Sequence, residues 1–166
     1  KSSGVDTLTC NAVTSLYFRD SGQIERTDFV PGKIPGGYLF FLLDSGIRVD
    51  KGPLVVHFLD RMKDEEFASS IHNEYLELNL KLIEALLGKR DGDPALLVRV
   101  ISDYQFRHFR RMIPEEVADL WIEGQVNNEF YLKLNGSGGG FLLGIAHSAS
   151  KESLEKKWKE KIIWIE

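Results

Sequence analysis

Cysteine is almost missing from this chain. With Cys10 alone, no intrachain disulfide can form and no cysteine cluster can hold zinc, so packing must stabilise the fold and a reducing cytoplasm is the expected setting. No run reaches the roughly 20 apolar residues that a membrane-spanning helix needs. The start lacks the basic and apolar regions of a signal peptide, so neither insertion into a membrane nor export is expected. An excess of positive charge is missing too: 21 Lys and Arg stand against 25 Asp and Glu, for a net charge of -4 and a pI near 5.6. Nucleic acid is therefore not an expected partner. The histidines His57, His72, His108 and His147 fall in no His-Glu-x-x-His or Cys/His spacing, and no metal site is expected from them.

What is present is ordinary globular material. At 166 residues, 43% hydrophobic and 28% charged, the chain can build one core, as one domain or one large half of a two-domain protein. It opens on Lys1-Ser2-Ser3-Gly4-Val5-Asp6-Thr7, which reads as the interior of a motif, so a piece of a longer protein is expected. Residues 11 to 18 and 23 to 30 flank turn chemistry at Asp20-Ser21-Gly22 and predict a hairpin. Breakers crowd residues 31 to 37 and mark a domain seam there. Strands are predicted at 38 to 43, 130 to 134, 141 to 146 and 162 to 166. Helices are predicted from Gly52-Pro53 to about Lys63, from Asp64 to a cap at Gly88, from Asp93-Pro94 into Arg107-His108-Phe109-Arg110-Arg111, from Pro114 to a stop at Gly124, and over 151 to 159. On the long second helix a further apolar stripe, Leu76, Leu80, Ile83 and Leu87, predicts burial between two layers.

Two stretches could carry chemistry. Lys133-Leu134-Asn135-Gly136-Ser137-Gly138-Gly139-Gly140-Phe141 packs four glycines into five positions between two strands. Such a loop can bring backbone N–H groups close to an anion, or can simply be a tight hairpin. The dinucleotide fingerprint fails, because Phe141 takes the place of its third glycine and a strand comes next instead of a helix. The second stretch, Ser3-Gly4-Val5-Asp6, sets one carboxylate in a small-residue turn and means little alone.

Together they resemble two signatures of the GHMP small-molecule kinases, the family of galactokinase, homoserine kinase, mevalonate kinase and phosphomevalonate kinase, with mevalonate kinase the most similar. In that family a Pro-Ser-Gly-Ile/Val-Asp segment carries the catalytic aspartate, matched here by Ser3, Gly4 and Asp6. A Lys-x-Thr-Gly-Ala-Gly-Gly-Gly-Gly loop supports its nucleotide and substrate site, matched here by Gly136, Ser137, Gly138, Gly139 and Gly140. The sequence departs from those patterns at Lys1-Ser2, Asn135, Ser137 and Phe141.

The resemblance implies an α+β fold: a four-stranded antiparallel sheet with helices on one face, ferredoxin-like as in the family's C-terminal lobe, over residues 31 to 166. Residues 1 to 30 would be a hairpin closing the N-terminal lobe. It further implies transfer of the γ-phosphate of ATP, with Mg²⁺, to a small-molecule alcohol, as in isoprenoid biosynthesis. Asp6 would be base or orienting acid. The family's Gly-Leu-Gly-Ser-Ser-Ala loop, magnesium-binding groups and pairing lysine are not among these residues. The N-terminal lobe of the same protein is thus an expected partner, and this chain alone is expected to be inactive. A diphosphomevalonate decarboxylase-like enzyme shares the fold. The reading from another class is a non-catalytic ferredoxin-like ligand-binding or regulatory domain. An uncovered strand edge in residues 1 to 30 would favour a homodimer or a partner chain. Arg107, Arg110 and Arg111 with Phe106 and Phe109 are read as a solvated helix end or a contact with the other lobe, and Trp121, Trp158 and Trp164 as packing residues.

Overall fold

The computed structural model of the chain describes residues 15–18, 22–32, 34–47, 50–136 and 140–166. It divides between Val30 and Pro31 into two compact units. In the first, β1 (Ser15–Phe18) pairs antiparallel with β2 (Ile24–Thr27). Ser15 Oγ donates to the Phe29 carbonyl at 2.8 Å and ties the hairpin's ends together.

The second unit is an α+β fold. Its sheet holds β3 (Tyr38–Asp44), β4 (Phe130–Leu134), β5 (Phe141–His147) and β6 (Ile162–Ile165) in the order β4-β5-β3-β6. Every neighbouring pair is antiparallel, which is the ferredoxin-like arrangement. Between β3 and β4 lie α1 (Lys51–Arg61), α2 (Glu65–Ser70), α3 (Leu76–Leu86), α4 (Pro94–His108) and α5 (Glu115–Asn127), and α6 (Lys151–Trp158) precedes β6. Among the described residues no helix is long and apolar enough to cross a membrane.

Aspartates open three of these helices. Asp50, Asp64 and Asp93 accept from the backbone N–H of Gly52, Phe67 and Ala95 at 3.0, 2.8 and 2.9 Å, satisfying donors that the first helical turn leaves unpaired. At the other end of α3, Gly88 sits at φ +65°, and the N–H groups of Gly88 and Lys89 donate to the carbonyls of Ala85 and Glu84. That is the Schellman closure expected of a glycine in this place.

The predicted stop at Gly124 is wrong. Gly124 lies buried inside α5, where an added Cβ would come within 2.5 Å of the Phe130 carbonyl oxygen. This glycine is there for close approach to β4, and the helix runs on to Asn128, which takes the left-handed conformation at φ 55°. The predicted burial of a second stripe on the long helix also fails: Leu76 and Leu80 are exposed. A π turn over Ile71–Tyr75 separates α2 from α3, and its extra residue rotates α3 by about 100° relative to a regular helix.

The core covers one face of the sheet. Phe41, Leu43, Phe130, Leu132, Leu134 and Leu142 point to it and meet Tyr104, Val117, Trp121, Leu154 and Trp158 from the helices. Trp121 and Trp158 are buried and Trp164 packs against the same cluster, so the tryptophans are packing residues as read from the sequence. One glycine makes this packing possible. Gly144 stands opposite Phe41 and Leu132 in the sheet, and the Phe41 ring lies over it, 2.1 Å from where a Cβ would be.

Candidate functional site

The glycine-rich stretch forms the connection from β4 to β5, so its placement is that of a hairpin loop. Strand pairing closes at Leu134 opposite Leu142. Gly136 at φ +91° and Gly140 at φ +66° use backbone that side chains rarely adopt, and no atom lies within 4 Å of an added Cβ at either. The limit there is conformational, and the space beside both residues is open.

A second loop anchors this turn. The Gly140 N–H donates to the Ile47 carbonyl at 2.9 Å, and the Ser45 N–H donates to the Gly140 carbonyl at 3.0 Å. The Gly140 N–H thus has no capacity left for an anion. Of the other residues singled out in the sequence, Ser3, Gly4, Asp6, Ser137, Gly138 and Gly139 lie outside the described residues.

A cavity of about 240 Å³ opens beside Gly136. Val55 and Phe58 of α1, Tyr75 of the π turn, Gln105 and Phe109 at the end of α4, and Leu134 form its wall with Met112. Its surface is largely apolar, and its two polar groups are already engaged with each other. Gln105 Nε2 donates to Tyr75 Oη at 2.7 Å, while Gln105 Oε1 accepts the Leu134 N–H at 2.7 Å. Leu134 ends an edge strand, so this N–H has no strand partner on that side, and a buried side chain supplies what water cannot. Burial pushes the Tyr75 phenol above its usual pKa, which keeps it neutral in this wall.

Sequence reasoning missed Gln105 and Tyr75. The available signal was a glutamine inside the buried run Ile101, Ser102, Tyr104, Gln105 of α4, since a polar side chain at a core position must have a partner. It also gave no role to Lys133, whose Nζ donates to the Leu134 carbonyl at 3.2 Å and whose ammonium is held below its usual pKa by desolvation. Among the described residues, no three His, Cys, Asp or Glu side chains gather where a metal ion could sit.

No protein-family model and no curated protein sequence matches the chain. Among solved structures, it is similar to the L. major mevalonate kinase crystallised in complex with R-mevalonate, with a TM-score of 0.60 and 19% sequence identity. The likeness covers 88% of this chain and 46% of that one. The chain therefore spans less than half the length of the kinase it matches, and what the two share is the fold.

Proposed function

We propose that this chain is the C-terminal part of an ATP-dependent kinase that phosphorylates a small-molecule alcohol, with the glycine turn as one wall of the site. The observation that carries this reading is the turn itself. On a fold like that of a mevalonate kinase, a glycine-dense loop has open space beside both Gly136 and Gly140, is tied to the Ser45–Ile47 loop, and borders an apolar cavity.

In the proposed reaction the alcohol oxygen attacks the γ-phosphorus of ATP, the bond to the bridging oxygen breaks, and ADP leaves. Asp6 takes or steers the hydroxyl proton, and the turn formed by Ser3 and Gly4 places its carboxylate. Gly136, Gly138 and Gly139 let the phosphates approach the backbone without a side chain in the way, and the Ser137 hydroxyl adds a hydrogen-bond donor beside them. Such transfer depends mainly on alignment and on charge neutralisation at the phosphoryl oxygens. Mg²⁺ would supply that neutralisation in this chemistry, and the N-terminal lobe is the proposed partner that would hold it.

The test is coupled ADP release from the full-length protein with Mg-ATP and a panel of mevalonate, phosphomevalonate, homoserine and sugars. Turnover that requires one alcohol is the expected result, and this 166-residue chain alone is expected to show none. A folded full-length protein that turns over none of them would favour the non-catalytic ligand-binding domain.

A further inference from the structure

The arginines of this acidic chain are not spread evenly. Four of its nine arginines and two of its four histidines line one cavity of about 270 Å³, formed by His57, Phe58 and Arg61 of α1, Phe67 of α2, and residues 107 to 112 at the end of α4 and just beyond it. No acidic side chain is in that lining. The aromatic floor and the basic rim come from different elements, so the cavity is assembled by the fold and is not a property of one basic helix end.

Two of the four guanidinium groups have carboxylate partners. Arg107 pairs with Asp103 at 3.2 Å, and Arg110 pairs with Glu115 while donating to the Ile113 carbonyl at 3.1 Å. The other two have none among the described residues. Arg61 donates one N–H to the His108 carbonyl and lies 3.8 Å over the Phe67 ring, leaving four of the five donors of its guanidinium. Arg111 is exposed and makes no hydrogen bond or ion pair among the described residues. Helix ends do attract cations, since α1 and α4 both terminate here, but each contributes only about half a negative charge. Two unmatched guanidinium charges exceed that.

We propose that this cavity binds a small phosphate-bearing ligand, with the phosphate between Arg61 and Arg111 and an apolar or aromatic body against Phe58 and Met112. Guanidinium forks match phosphate oxygens in pairs, which a lysine-lined patch would not do. The volume is near the lower limit for ligand pockets, roughly 300 Å³, and suits a small molecule and not a chain segment. His108 in the rim is an internal reporter. Burial and the charges of Arg107 and Arg61 hold its imidazole below the usual pKa, against an opposing pull from Glu74, and a bound phosphate would raise it. Phe58, Phe109 and Met112 also line the cavity beside Gly136, yet the two cavities differ in chemistry, and the proposal stands whether or not the protein is a kinase.

The experiment titrates the chain with phenyl phosphate and with inorganic phosphate at constant ionic strength, following heat and the His108 ring proton by NMR. One saturable site is expected, with phenyl phosphate about fivefold tighter than inorganic phosphate and the His108 pKa raised by both. Arg111→Gln should weaken binding about tenfold without moving the melting temperature, because that side chain supports nothing in the fold. Arg61→Gln should weaken it at least as much; if that variant is unstable, Arg111→Gln decides. Lys156→Gln, on α6, is the control for diffuse charge. No saturation at about 10 mM, or equal weakening by Lys156→Gln and Arg111→Gln, would overturn the site, and equal affinity for the two probes would overturn its aromatic floor.

Discussion

Gly144→Ala is expected to cost roughly 3 kcal/mol of stability, the upper part of the range for overpacked cores, and to lower the melting temperature by about 6 to 12 °C for a domain of this size. The methyl group would fall 2.1 Å from Cζ of Phe41. Phe41 is fully buried, with Trp158 and Trp164 rings at 5.5 and 5.3 Å, so its ring cannot retreat without moving two tryptophans. Strand pairing places Leu132 and Phe41 directly beside Gly144, which denies the backbone a sideways escape. Thermal unfolding followed by circular dichroism checks this. A melting temperature within about 2 °C of the parent would mean that the sheet can shift there and that the core is looser than its contacts imply.

Gln105→Leu is expected to cost about 3 kcal/mol, because it keeps the shape of the side chain and abandons two partners. The Leu134 N–H and the Tyr75 hydroxyl would both be left without their 2.7 Å bonds, each at a cost of about 1 to 3 kcal/mol when buried. The Leu134 amide, at the mouth of the glycine turn, should lose its protection in hydrogen exchange. Removing the second orphan should return part of the loss, so Tyr75→Phe should be less harmful in Gln105→Leu than in the parent, with a coupling of about 1 kcal/mol. Additive effects would show that the two side chains do not act as one unit.

The fold was largely legible in the sequence, for local reasons. A short aromatic and apolar run marked β3, short apolar runs marked β4 to β6, and Asp64, Asp93 and Gly88 marked helix ends, because caps are set by the residues next to them. The errors have a common source in tertiary contact. Gly124 reads as a stop until Phe130 is seen against it. The stripe at Leu76 and Leu80 reads as buried from apolar spacing alone, yet both side chains are exposed.

The candidate site was less legible. The glycine turn could be found from composition alone, but its anchoring on Ser45 and Ile47 spans more than 90 residues of chain. The arginines of residues 107 to 111 read as a solvated helix end because Arg61, His57 and Phe58, which complete the cavity, lie far away in sequence. Gln105 was hidden for the same reason, since both of its partners are about 30 residues distant.

The central claim concerns a phosphoryl transfer that uses the carboxylate of Asp6, and it is tested most directly by comparing Asp6→Asn with the parent in the full-length protein. Asparagine keeps the size of the side chain and removes the base. With the alcohol that the parent turns over, ADP release should fall by about 10² to 10⁴ at unchanged melting temperature. An Asp6→Asn protein that releases ADP at the parent's rate would contradict the proposed chemistry.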